Sequence, residues 1–484
     1  MKSTLATPAE FLAAREPTGP ASVSLWRLLR GYRSSDPLVR WSQIRAEHGA
    51  VARYQFGLAD TYFISGAEGV GRVLLENAAN YTKDHGTYQM LRRVFGNGLL
   101  TSDGSFWVRQ RRLAAPAFHR HRIAAMGQQM VAAAAEVAER WEELGRQGQG
   151  VSMLKEMSRL TLRVVGDALF GTGLADKAGA VAGAWDTLNL QLVERFSTKR
   201  LFPPVLPTRY DREFRQARHT LFGVVEQIIA ARRSQGGGDD LLSMFMQTRD
   251  EDTGEQMTDG QLRDEVVTML LAGHETTSTA LAWLWALLAQ HPAVATKLHA
   301  ELDEVLGGRL PTAADYPRLA FTRAVVEETM RLHSPAYIIN RRVASDDVVQ
   351  GCRVRRGGAI VISPLFLHRQ PEYWERPDDF FPERWADAEA EAKRPRFAFI
   401  PFSGGPRQCI GNTFAMMEAV LLVATLAQRF EPRLAEGYVP QVQYLVFARP
   451  SEGAPMTLSK RSGQQATARS GGAGAGPDAK GVRG

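Results

Sequence analysis

Apolar residues recur at helical spacing through most of the chain. Segments 124–144, 155–170, 179–195 and 212–233 read as amphipathic helices. Pro203, Pro204 and Pro207 break the chain between the last two, and glycines 236–238 close the block. The longest candidate is 258–290, where Thr258 and Gln261 form a capping-box pair and Pro292 follows the end. At 1.5 Å per residue it would span roughly 50 Å. Further helices are predicted over 106–118, 292–306, 316–333 and 412–430. Strand-like alternation is rarer. Residues 53–57 and 60–65 read as a hairpin, and 341–363 as short strands turning at Gln350–Gly351 and 356–358. The glycine-punctuated stretch 86–101 reads as a loop with short helical pieces, and 371–385 as proline-rich irregular chain. The pattern predicts a mainly α fold with a small β-rich part.

Composition changes this picture only at the ends. Residues 1–24 read as a flexible segment and 461–484, rich in Gly, Ala and Ser, as a disordered tail, leaving one domain over 25–460. Residues 460–484 carry five basic residues against one acid, so most of the net charge of +7 sits there and the folded part is too weakly basic to imply nucleic acid. Two cysteines exclude a disulfide scaffold, and no apolar run is long enough to span a bilayer, so a soluble cytoplasmic protein is expected. Gly69-x-Gly71 suggests a dinucleotide fingerprint, but Leu74 stands where the third glycine should be, so helix entry is the better reading.

The candidate chemistry centres on Phe402-Ser403-Gly404-Gly405-Pro406-Arg407-Gln408-Cys409-Ile410-Gly411. A lone cysteine is more often a small buried apolar group than a ligand. Here it sits in a glycine-rich loop just before a helix, where free backbone N–H groups and the helix dipole favour a thiolate. Gly405 and Gly411 permit positive φ and a close backbone approach, and Arg407 is placed to meet an anion. Phe402-x-x-Gly405-x-Arg407-x-Cys409-x-Gly411 resembles the haem-binding signature of the cytochrome P-450 superfamily. The resemblance implies that Cys409 is the axial thiolate of a haem b iron.

Three further motifs extend the resemblance over about residues 25–460. Ala272-Gly273-His274-Glu275-Thr276-Thr277 looks like the oxygen-activation motif, in which Glu275 and Thr276 deliver protons and the glycine thins the helix beside the cofactor. A polar kink with Thr276 bonded back to its helix is the plainer alternative. A zinc-protease motif would need histidine at position 278, where Ser278 stands, and His274 is read as structural. Glu328-x-x-Arg331, with Arg384 downstream, resembles the family's buried ion triad. Trp107 and Arg111 look like its propionate contacts, with Arg407 and with Arg342, or Arg341 if the register slips by one. Arg109, Arg112 and Arg120 read as a solvated face or as part of a basic docking surface for an acidic electron donor.

By resemblance, then, the chain is a haem monooxygenase that oxidises a hydrophobic small molecule with O2. Its electrons come from NAD(P)H through a separate ferredoxin or flavodoxin, because no fused flavin or iron–sulfur segment is visible. The pocket is expected from the 83–100 loop, the 196–210 region, Leu271, Ala272, Thr276, Tyr337, Ile338 and Phe447, mostly apolar residues. Residues 97–100 and Pro401-Phe402 bring it near the bacterial branch of fatty-acid and carotenoid hydroxylases, so a fatty acid, terpenoid or polyketide would each fit. A peroxygenase using H2O2, or a non-catalytic haem sensor or carrier, is the alternative, and Glu275–Thr276 argues against both.

Overall fold

The computed structural model describes residues 5–20, 36–56, 59–171, 177–196, 209–238, 240–250 and 253–461. The predicted tail beyond Arg461 and the proline-rich 197–208 stretch lie outside them.

Helices take up 61% of the chain. The principal ones are α1 (Gly86–Phe95), α2 (Gly104–Ala114), α3 (Arg120–Arg146), α4 (Met153–Phe170), α5 (Ala178–Phe196), α6 (Arg209–Ser234), α7 (Asp259–Gln290), α8 (Pro292–Leu306), α9 (Ala320–Leu332) and α10 (Asn412–Ala427). α7 is the axis of the molecule. Its N-terminus carries the predicted box: the Thr258 hydroxyl accepts the Gln261 N–H at 3.3 Å, and Gln261 accepts the Thr258 N–H at 2.8 Å. Apolar residues cover almost all of its faces, which places it inside the core. α4, α6, α9 and α10 pack around it.

The principal sheet has the order β1 (Val51–Phe56), β2 (Ala59–Ile64), β5 (Ala359–Ile362), β4 (Ile339–Val343), β3 (Tyr81–Thr82). β2 and β5 are parallel, and the other pairings are antiparallel. Alternation along β2 divides its residues between two cores: Tyr62 and Ile64 enter one and Phe63 the other.

Two local expectations change. The glycine-rich 86–101 stretch holds a full helix, α1. Tyr88, Leu91, Val94 and Phe95 fall on one buried face, and the His85 ring accepts the Thr87 N–H at 3.2 Å. Residues 5–20, expected to be loose, are docked. Thr7 and Glu10 cap a short helix, Pro8–Ala13, and Arg15 exchanges backbone hydrogen bonds with Gly351 and Arg353 at 3.0 and 2.9 Å.

Candidate active site

The cysteine loop is shaped by one steric constraint. Gly405 has φ +66°, and a Cβ there would lie 1.7 Å from the Leu74 carbonyl oxygen, so only glycine fits. The turn is closed by Gln408 N–H donating to Gly405 O at 3.0 Å and Cys409 N–H to Phe402 O at 2.9 Å. Gly411 differs from expectation: its φ is −89° and a Cβ would meet nothing closer than 3.7 Å, so its role is not conformational. The Cys409 thiol is surrounded by protein yet open to an internal cavity of about 340 Å³. Burial pushes its pKa up, while the Gly411 N–H and the Arg111 charge pull it down.

Cations gather at one edge of this cavity. Arg407 donates to Ser102 O at 2.8 Å, pairs with Asp103 and stacks 3.7 Å from the Trp107 ring centroid. Burial lowers its pKa to about 10. Arg111 lies 5.9 Å from the same ring and, among the described residues, has no hydrogen-bond or ion-pair partner. The assignment of Arg342 is corrected. Residues alternate along β4, so Arg342 turns outward to Asp84 at 3.3 Å while Arg341, 4% exposed, lines the cavity and donates to Tyr88 Oη at 3.0 Å. Lys83, which sequence reasoning placed only in a substrate loop, stands at the same edge. Its Nζ donates to Leu100 O at 2.6 Å, and burial holds its pKa well below the usual lysine value.

α7 forms the facing wall with Met269, Ala272, Gly273, Thr276, Thr277 and Ala280. Gly273 serves the helix contact behind it as well: a Cβ would lie 2.9 Å from Val165 Cγ2, and Thr161 Oγ1 donates to His274 O at 3.0 Å beside it. The Thr276 hydroxyl donates back to Ala272 O at 2.8 Å. Glu275 points away from the cavity. Its Oε1 accepts Arg449 Nε–H at 2.7 Å, and Arg449 also donates to Asp186 of α5 at 3.0 Å. Burial raises the Glu275 pKa to about 6 against the opposing Arg449 charge. His274 is neutral, its pKa lowered to about 4 by burial, with Nδ1 3.1 Å from Leu270 O. Leu271 and Tyr337 do not line the cavity; Ile338 and Phe447 do.

The chain matches the family model "Cytochrome P450" over residues 17–456. It belongs to the cytochrome P450 family. Cyclooctatin synthase of Streptomyces melanosporofaciens is 36% identical over 81% of this chain and 84% of that protein. Cyclooctat-9-en-7-ol 5-monooxygenase of the same organism is 34% identical, covering 87% and 90%. Pentalenene oxygenase of Streptomyces avermitilis is 32% identical, covering 85% and 90%. The crystal structure of cytochrome P450DA heme domain superposes with a TM-score of 0.82 at 27% identity, covering 92% of this chain and 98% of that one. This P450 is therefore a haem-dependent monooxygenase.

The residues present fit a haem. A thiol opens onto the cavity, and an edge rich in buried donors includes the unpartnered Arg111, as a planar group bearing two carboxylates requires. The chain around the cysteine loop is fixed by Glu328, Arg331 and Arg384, all buried. Glu328 accepts both Arg331 Nε–H and Nη2–H at 2.9 Å, and Arg384 Nε–H, Trp385 Nε1–H and Phe381 N–H at 3.0 Å. Arg331 in turn donates to the carbonyls of His368, Pro377 and Asp379. His368 Nε2 accepts the Ile400 N–H at 2.8 Å, which carries the bracing to the start of the cysteine loop.

The expected docking face loses two members, because Arg109 and Arg112 both turn to the buried Asp250, at 3.6 and 2.6 Å. Sequence reasoning also missed Glu418, nine residues after Cys409. It is fully buried behind the cavity, and its pKa is pushed well up with only the Thr277 hydroxyl opposing. A carboxylate in an otherwise apolar helix was the available signal.

Proposed function

We propose that this P450 oxidises a neutral terpenoid, with Cys409 as the axial iron ligand. Arg111, Arg341, Arg407, Lys83 and Trp107 would hold the propionates. The observation that carries the reading is the distribution of charge around the cavity. Its charged lining residues, Lys83, Arg341 and Arg407, stand at the edge already occupied by propionate donors. Phe95, Leu100, Leu169, Met269, Ala272, Ile338 and Phe447 offer only apolar surface, so among the described residues no cation remains for a substrate carboxylate. The names of the Streptomyces relatives, with cyclooctatin and pentalenene, support the same class.

When bound, the haem supplies dioxygen activation at its iron. The chain does the rest. The apolar wall binds and orients the substrate and excludes water. Thr276 presents its hydroxyl to the cavity. Glu275, one residue away, holds a proton near neutral pH and reaches the Thr276 side once Arg449 releases it. Electrons come from a separate ferredoxin or flavodoxin fed by an NAD(P)H reductase. The described residues contain no cluster of metal-binding side chains that could replace it. Two unpaired cysteines agree with a cytoplasmic location.

The test is a reduced-CO difference spectrum followed by turnover of terpene and fatty-acid panels with surrogate redox partners. The expected result is a red-shifted thiolate-type band that Cys409→Ala removes, and product from neutral terpenes alone. Persistence of that band in Cys409→Ala would remove the ligand assignment. Preferential turnover of fatty acids would remove the substrate class. Thr276→Ala should divert reducing equivalents from product into H2O2; unchanged coupling would end its proton role.

A further inference from the structure

Between the cavity-lining residues Phe95 and Leu100 runs Gly96-Asn97-Gly98-Leu99, and this segment lies against one face of α7. Asp264 accepts the Asn97 N–H at 2.8 Å, and Glu265 Oε2 accepts the Leu99 N–H at 2.9 Å. The Thr268 hydroxyl donates to Asp264 O at 2.8 Å and stands 3.5 Å from Phe95 O. The two glycines leave no space for anything larger. A Cβ on Gly96, whose φ is +67°, would lie 2.2 Å from the Asp264 carboxyl carbon. One on Gly98 would lie 2.2 Å from Thr268 Oγ1 and 2.7 Å from Asp264 O. The far side is held as well: Thr101 Oγ1 donates to Gly96 O, and Lys83 Nζ to Leu100 O, both at 2.6 Å.

Neither carboxylate lines the cavity, yet the residues flanking the clamped segment do. About one turn further along α7, Met269 and Ala272 line it too. Two carboxylates each bound to a backbone amide fix the segment more firmly than apolar contact alone, because charge-assisted hydrogen bonds are about twice as strong as neutral ones.

We propose that Asp264 and Glu265 are positioning residues for ligand selection. They lock the Phe95–Leu100 wall to the helix that carries Glu275 and Thr276, and so set the size of ligand the cavity admits. The inference rests on the haem monooxygenase reading, since it concerns what binds opposite Cys409.

The test uses the full-length holoenzyme and two iron ligands of different size, imidazole and 4-phenylimidazole, followed by their Soret shifts. Asp264→Ala and Glu265→Leu remove the acceptors; Asp264→Asn and Glu265→Gln keep one. The acceptor-less variants should change the ratio of the two dissociation constants by about fivefold or more, with most of the change in the larger ligand. Amide exchange at Asn97 and Leu99 should quicken, and the reduced-CO band should stay. The Asn and Gln variants should keep the parental ratio. A ratio unchanged within twofold in Asp264→Ala and Glu265→Leu, despite faster exchange, overturns the proposal. So does an equal change in the variants that keep the acceptor. Should Glu265→Leu not accumulate, Asp264→Ala decides alone. Loss of the CO band in the parental protein would instead remove the haem reading itself, so the two failures are distinguishable.

Discussion

Arg341 and Arg342 are chemically identical neighbours, and strand geometry alone separates them. Successive side chains on β4 face opposite sides, so one guanidinium enters the cavity edge and the other meets Asp84 at the surface. The Arg342–Asp84 pair is exposed on both sides and belongs to a class worth roughly 0–1 kcal/mol. Arg341→Ala should therefore speed haem transfer to apomyoglobin by about tenfold, as expected for loss of a charge-assisted contact. Arg342→Ala should leave it within about twofold. Equal rates in the two variants would return the assignment to Arg342. The two glycines flanking Cys409 divide similarly. Gly405 is fixed by its positive φ and the Leu74 carbonyl, whereas Gly411 is under neither constraint.

At the level of elements, α7 serves three purposes along its length. Its first turns clamp the segment that follows α1, its middle lines the cavity, and its C-terminal part fills the core with Leu281, Leu284 and Leu287. α9 supports the opposite side of the site through Glu328. That carboxylate satisfies two arginines, an indole and a backbone amide with no water access. Removing it leaves two buried guanidiniums without their counter-ion, which costs about 3–5 kcal/mol. Glu328→Ala should lower the chemical-denaturation midpoint accordingly and reduce haem content, because the bracing runs through Arg331 and His368 to Ile400. A variant with parental stability and full haem content would show that the triad does not support the loop.

Across the whole molecule, buried ionisable groups set opposing pH dependences. His274 and His368 have folded pKa values lowered to about 4 and about 3, so the stability from keeping them neutral is present above pH 6.5 and lost on acidification. Glu265 acts the other way. Burial raises its pKa from 4.5 to about 8, so its contribution is complete below pH 4.5 and lost as pH rises toward 8. Glu265→Gln lacks that loss. Its stability relative to the parental protein should rise between pH 5 and pH 8, by an amount on the order of a few kcal/mol. Denaturation midpoints at the two pH values check this, and a difference independent of pH would contradict the burial-driven shift.

The sequence by itself determined the long helices, the capping box at Thr258, the mainly α class and the family, because helical periodicity, capping and the cysteine signature are local patterns. It also identified Glu328, Arg331 and Arg384 by spacing, and the structure brings all three into hydrogen-bonded contact. Only the tertiary structure decided which way side chains face. It turned Arg342 outward, tied Glu275 to Arg449, engaged Arg109 and Arg112 with Asp250, and brought Lys83 to the cavity edge. It also formed α1 from a glycine-rich stretch whose buried face becomes visible only once its partners are in place. Each of these depends on contacts between residues distant in sequence, where burial and pairing override local propensity.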